Sequence, residues 1–181
     1  MNIKSTPISG LLVIQPSVFG DARGYFLETW QHQRYAAAGM ADAFVQDNIS
    51  FSRQGILRGL HFQNPRPQAK LVSVLQGEVF DVAVDLRRNS PTFGQWHGER
   101  LSAENKLQFF IPVGFAHGFQ VLSETVLFHY KCTEYYAPAD EQALRWDDPA
   151  LNIQWPGANP QLSARDSQAP LLKDLDPSRL F

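Results

Sequence analysis

The chain carries a single cysteine, Cys132, among 181 residues, so no intrachain disulfide can staple it. Its N-terminus lacks the basic patch and apolar core of a secretory signal, which makes the cytoplasm the expected compartment. Apolar runs are short: the best, Val79 to Leu86, is broken by acids and falls far below the roughly 20 apolar residues that cross a bilayer. No membrane partner is expected. A net charge of -2 gives no general attraction to nucleic acid, so any anion must be held by a local cluster. Repeats, low-complexity tracts and linkers are also missing, and residues 1–181 are expected to form one domain around one core.

What is present is mostly strand signal. Leu11–Gln15, Tyr25–Trp30, Phe44–Phe51, Leu71–Leu75, Val79–Leu86, Leu107–Ile111 and Thr125–Lys131 read as strands, most of them separated by Gly, Pro, Asn or Ser. In the fifth of these, Phe80, Val82, Val84 and Leu86 share one face while Asp81, Ala83 and Asp85 share the other, the pattern of a half-buried strand. One short helix is predicted over Gln31–Ala38, ended by Gly39. Beyond Pro138 the chain is rich in Pro, Asp and Asn, and it is expected to wind over the surface with little regular structure. Many short strands at regular spacing predict an all-β jelly-roll barrel with a few short helices and an irregular C-terminal segment.

Two segments sharpen that prediction. Gly55 is followed by five residues and then His61, and Lys70 by six residues and then Gly77; downstream, Pro112, Gly114 and His117 keep a proline, x, glycine, x, x, histidine spacing. This is the skeleton of the two cupin motifs, in which a barrel aims imidazoles into its mouth. The usual metal ligands of the first motif are rewritten, however, as His61, Gln63 and Lys70. A protonated lysine has three donors and no lone pair, so where a carboxylate would neutralise a divalent ion it adds repulsion. The pattern points to base chemistry without a metal or cofactor.

His61 has the residue chemistry of a general base at neutral pH if a carboxylate fixes its tautomer, although an isolated histidine is more often a satisfied core group. Within Arg58–Gln63, alternation puts Arg58, Leu60 and Phe62 on one face and Gly59, His61 and Gln63 on the other. Lys70 is expected on an adjacent strand in the same cavity, where a fixed cation could stabilise an oxyanion; outside the motif it would read as a solvated lysine. Tyr130 shares a face with Val126 and Phe128, so periodicity makes it a core aromatic, while a barrel mouth would equally seat it as an acid opposite the base. Both readings stand at this level. Arg23, Arg53, Arg58 and Arg66 interleave with Phe19, Tyr25, Phe26 and Phe62, a mixture suited to a phosphate-bearing ligand with a stackable base.

Taken together, Phe19–Gly24, Gln46-Asp47-Asn48, Leu57–Gln63, Gly77–Asp85, Ser90–Trp96, Leu101–Lys106, Gly114–Phe119, Tyr130–Thr133 and Leu162–Asp166 resemble the dTDP-4-dehydrorhamnose 3,5-epimerase family over nearly the whole chain. The resemblance implies a metal-independent jelly-roll isomerase that acts on dTDP-4-dehydro-6-deoxy-D-glucose and yields dTDP-4-dehydro-L-rhamnose. By motif position it makes His61 the base, Asp166 its orienting partner, Tyr130 the acid on the opposite face and Lys70 the stabiliser of the enolate oxygen. It assigns substrate contacts to Arg23, Glu28, Gln46, Asp47, Asn48 and Arg58, with His117, Glu141 and Arg165 as further members of the site. It also implies a homodimer with exchanged N-terminal strands, so Arg23 and Glu28 would serve the partner's site. Arg165 replaces the family's usual lysine, and Ala22 stands where an acid is common.

Three rivals remain at the level of sequence. A metal cupin would use His61, Gln63 and His117; a binding module would hold a nucleotide sugar without turning it over; and a close relative would invert only one carbon of a related 4-keto-deoxysugar.

Overall fold

The computed structural model describes residues 1–181 as two facing β-sheets. The strands are β1 (Asn2–Ser5), β2 (Leu12–Gln15), β3 (Val18–Asp21), β4 (Gly24–Leu27), β5 (Gln46–Arg53), β6 (Leu57–Gln63), β7 (Lys70–Gln76), β8 (Glu78–Asp85), β9 (Trp96–Ser102), β10 (Gln108–Ile111), β11 (Phe115–Val121), β12 (Thr125–Cys132) and β13 (Glu141–Ala143). One sheet runs β1-β2-β10-β7-β12-β5, the other β13-β6-β11-β8-β9, and β3-β4 form a separate hairpin. All named pairings are antiparallel, with neighbouring sheet positions supplied by strands distant in sequence, as the jelly-roll expectation requires.

Helix is scarce. The predicted Gln31–Ala38 helix is shorter, α1 (His32–Ala36), capped by the Gln31 side chain accepting from the Arg34 N–H at 2.7 Å and closed by Gly39 at φ +93°. A second turn, α2 (Ala164–Ser167), starts at Ser163, whose hydroxyl accepts from the Asp166 N–H at 3.0 Å. Apart from β13, α2 and two 3-10 turns, the segment after Pro138 is the irregular cover expected from its composition.

Between the sheets lies a core that includes Val72, Val74, Val79, Phe109, Ile111, Phe115, Phe119 and Phe128. A second cluster, with Leu60, Phe62, Val82, Val84, Leu86 and Leu151, sits on the outer side of the five-stranded sheet beneath the C-terminal cover. That cover overturns the half-buried reading of β8. Its outer face is roofed by the C-terminal segment, and its inner acids Asp81 and Asp85 are both 0% exposed. Each acid is instead held by partners: Asp81 by His117, and Asp85 by Arg87, Ser90 and Thr92.

The sequence pattern did not single out β1, β3, β9, β11 or β13. In β9 the alternation is masked by Gly98, which is there because a Cβ would lie 2.2 Å from the Phe80 ring. No helix is long and apolar enough to cross a membrane.

Candidate active site

One end of the barrel is left open by polar side chains, and a cavity of about 280 Å³ forms there, lined by Ser50, Arg58, His61, Lys70, His117 and Tyr130, with Arg165 and Asp166 at its edge. Its first wall comes from β6 and β11. His61 lies opposite His117 and Arg58 opposite Phe119, so three steps along β6 match two along β11. The extra residue reverses the alternation, which brings Arg58 to the cavity beside His61 and corrects the expectation that they occupy opposite faces. Gly59 and Gly118 permit this: a Cβ on Gly59 would sit 2.6 Å from Gly118 Cα.

His61 Nε2 stands 2.6 Å from Asp166 Oδ1. An ionised carboxylate can only accept, so Nε2 carries the ring proton and Nδ1 keeps its lone pair. Burial of Asp166 would raise its pKa, but hydrogen bonds from His61 and the α2 cap outweigh that and hold it below the ordinary carboxylate value. Asp166 is 3% exposed, which shields the pair from competing water. The sequence contains nothing near His61 that announces this partner, since 105 residues separate them.

The facing wall comes from β7 and β12 of the other sheet. Tyr130 lines the cavity beside Phe128, with ring centroids 6.0 Å apart, so the same inward face serves both core and site. This is why periodicity alone could not separate its two readings. Burial pushes the Tyr130 phenol above its ordinary pKa and keeps its proton in place. Burial pushes Lys70 the other way, opposed by the charges of Cys132, Glu141 and Asp81. On β5, Gln46, Asn48 and Ser50 point inward along one face, and the Ser50 hydroxyl is buried there without a protein partner.

A second lobe of about 290 Å³ shares His61, Lys70 and Tyr130 and adds Gln46, Asn48, Gln68, Cys132, Tyr136 and Glu141. Glu141 accepts from the Tyr136 hydroxyl at 2.8 Å and is ion-paired with Arg165. Its burial favours protonation, yet the Arg165 and Tyr136 hydrogen bonds prevail and lower its pKa. Arg58 donates to Ser52 Oγ at 3.0 Å and has no carboxylate partner, leaving its charge available to the cavity. Ser50, Gln68, Tyr136 and Asp81 were not singled out from sequence. For Asp81 the signal was the alternation of β8; for Tyr136, in an irregular segment, there was none.

Three of the candidates lie elsewhere. Asp47 occupies the outward face of β5, ion-paired with Lys131 at 2.6 Å, because it falls between the inward Gln46 and Asn48. Arg23 is at the tip of the β3-β4 hairpin with a side chain 90% exposed, and it pairs with Asp21. Glu28 pairs with Arg34 at 2.6 Å and lines a different hollow, with Phe19 and Phe26. Neither reaches the cavity of its own chain.

The donor set does not suit a divalent metal of the cupin kind. No group of three or more His, Cys, Asp or Glu is arranged to hold one. Gln63, the rival ligand, spends its amide on the Arg66 and Tyr135 carbonyls and the Ala137 N–H, and Lys70 brings a cation.

The profile of the dTDP-4-dehydrorhamnose 3,5-epimerase family matches residues 5–174. A dTDP-4-dehydrorhamnose 3,5-epimerase of Salmonella typhimurium (strain LT2) is 53% identical over 175 residues, 95% of this chain and 96% of that one. A dTDP-6-deoxy-D-glucose-3,5-epimerase from Legionella pneumophila Philadelphia 1, solved in complex with dTDP-4-keto-L-rhamnose, superposes with a TM-score of 0.97 at 55% identity, covering 99% of this chain and 96% of that one. A 3'-monoepimerase from Streptomyces bikiniensis, in complex with dTDP-quinovose, shares the fold at 34% identity and a TM-score of 0.87, over 93% and 86% of the two chains. An all-β barrel with a histidine-carboxylate pair at its mouth, and near-complete coverage at more than half identity, carry one conclusion: the chain belongs to the dTDP-4-dehydrorhamnose 3,5-epimerase family.

Proposed function

We propose that the protein converts dTDP-4-dehydro-6-deoxy-D-glucose into dTDP-4-dehydro-L-rhamnose, an epimerisation at carbons 3 and 5 that needs no metal or cofactor, in dTDP-L-rhamnose synthesis. The observation that carries this is the placement of His61 on one sheet, with Asp166 brought to it by α2, and of Tyr130 on the sheet facing it, around one cavity. Carbons 3 and 5 both flank the 4-ketone, so removal of either hydrogen gives a planar enolate. His61 Nδ1 takes the proton from one side, Asp166 stabilises the resulting imidazolium, and the Tyr130 hydroxyl delivers a proton from the other side. Lys70 supplies positive charge to the enolate oxygen. Solvent then returns the proton to Tyr130 and removes that of His61, and a second round treats the other carbon.

Arg58 and Arg165 would meet the diphosphate, and the inward amides Gln46 and Asn48 with the half-exposed Tyr136 ring would meet the nucleoside. Arg23 and Glu28 would act across a homodimer with exchanged N-terminal strands. The hairpin that carries Arg23 exposes Phe19, Tyr25 and Phe26 at 65%, 60% and 68%, an apolar surface suited to burial against a second copy.

Incubation with the substrate in deuterated water containing a chelator, followed by NMR, tests the assignment. Deuterium at both carbons with inverted configuration is expected. Incorporation at one carbon would establish a single-centre enzyme, and none would leave a binding module. Mixing inactive His61→Ala and Arg23→Ala proteins should restore part of the activity through hybrid dimers; no restoration would refute the exchange.

A further inference from the structure

The second lobe of the cavity carries a carboxylate in a site offered to an anionic ligand. Glu141 lines that lobe with a side chain 15% exposed. The edge strand β13 puts it there: Ala143 lies opposite His61 and Glu141 opposite Gln63, so Glu141 shares the cavity face with His61, two residues along. A free negative charge in this place would repel a diphosphate. It is not free. Two donors of the chain converge on one atom, Glu141 Oε2, which accepts from the Tyr136 hydroxyl at 2.8 Å and from Arg165 Nη1. Arg165 Nη2 also lies 3.4 Å from the Glu141 carbonyl oxygen, so the guanidinium grips both the side chain and the backbone of one residue. The ion pair cancels the charge of Glu141 and leaves it as an acceptor for Tyr136.

Tyr136 belongs to an irregular segment and its ring is 50% exposed, yet the backbone around it is fastened on both sides. Its N–H donates to Gln46 Oε1 at 2.9 Å, the Ala137 N–H donates to Gln63 Oε1 at 2.9 Å, and the Tyr135 carbonyl accepts from Gln63 Nε2 at 3.1 Å. The Gln46 amide also donates to Asn48 Oδ1 at 3.0 Å, which fixes the second inward amide beside the ring. With the backbone held, the freedom left to Tyr136 is rotation of its side chain, and the hydroxyl bond to Glu141 removes it. A ring fixed before the ligand arrives spares the ordering that binding otherwise costs.

We propose that Glu141 is a positioning residue of the nucleotide site: anchored by Arg165, it holds the Tyr136 ring in the orientation that receives the nucleoside. The assignment deepens the substrate reading above and rests on it. Glu141 acts through Tyr136 rather than through a contact of its own, since Oε2 is already filled by two donors of the same chain.

A double-mutant cycle with dTDP as the probe, read by calorimetry, tests this. Tyr136→Phe keeps the ring and the backbone anchors and deletes only the donor to Glu141. In the otherwise native protein it should weaken dTDP binding about 3- to 10-fold, the ordering cost of one side chain. In a Glu141→Ala background the same step should have no effect, because the hydroxyl no longer has its acceptor. That comparison holds whatever Glu141→Ala does alone by uncovering the charge of Arg165. Glu141→Gln keeps an oxygen for the hydroxyl, so in that background part of the step should return. A Tyr136→Phe step of equal size in all backgrounds overturns the proposal: the hydroxyl would then meet the ligand directly, and Glu141 would merely brace β13, lowering Tm when removed. Native dTDP affinity in Tyr136→Phe alone overturns it equally, and that protein leaves residue 141 and its fold untouched. Absence of dTDP binding by the native protein would instead refute the substrate reading, and the positioning role would fall with it.

Discussion

Replacement of Asp166 by asparagine tests the base assignment with the smallest change in shape. Asp166 Oδ1 takes the His61 Nε2 proton at 2.6 Å, and Oδ2 faces the Gly59 N–H at 3.5 Å. An asparagine can satisfy both neighbours in one way only. Its oxygen must turn to Gly59, since an amide NH2 there would oppose another donor, and its NH2 then faces His61. Nε2 would have to accept, the ring proton would move to Nδ1, and the lone pair aimed at the substrate would be gone. The loss should therefore approach that of His61→Ala, about 100- to 10,000-fold, or roughly 3 to 5 kcal/mol in the barrier. Asp166→Ala should be milder, because without a partner the imidazole can populate either tautomer. Deuterium uptake at carbons 3 and 5 is the assay, and both should fall together, since one base serves both. The affinity for dTDP, read by calorimetry, should hold. An Asp166→Asn protein that keeps half of the native exchange rate, or that loses exchange at one carbon alone, would refute the tautomer argument.

Under the proposed roles Tyr130→Phe removes the acid and spares the base, so solvent deuterium should still enter with retention while inversion drops about 100- to 10,000-fold; equal loss of exchange in this protein and in His61→Ala would deny separate roles. Gly59→Ala places a Cβ 2.6 Å from Gly118 Cα at a backbone φ of +113°, which should destabilise the fold by about 2 to 5 kcal/mol and displace His61, seen as a lower urea midpoint with lost exchange. Asp85 is held at about 2 against an ordinary 3.8, since bonds from Arg87, Ser90 and Thr92 outweigh burial. A depressed carboxylate stabilises the fold fully above its unfolded value, and that contribution disappears as pH falls through the folded one. Asp85→Asn should thus cost about 2 kcal/mol at pH 7 in urea unfolding, with the gap to the native protein closing as pH drops from about 4 toward 2; a gap independent of pH would contradict this.

The sequence determined the architecture and most of the polar side chains that line the cavity. Short strands broken by Gly and Pro, with alternating faces, suffice for a β-barrel because period-two alternation is a local property of the chain. His61, Lys70 and His117 were legible because cupin spacing fixes them relative to sharp turns. Tertiary structure decided what local pattern cannot express. Asp166 joins His61 only when the C-terminal cover docks; no local pattern marks that contact, and only the family resemblance pointed to it. Arg58 enters the cavity through one extra residue in β6, a register shift set by the partner strand and the close Gly59–Gly118 approach. Alternation made β8 half-exposed, yet burial of both faces depends on an irregular segment that carries no periodicity of its own. Arg23, Glu28 and Asp47 matched motif positions, but whether a side chain reaches a cavity depends on the path of its strand through space. Those three were therefore decided by the path of the chain.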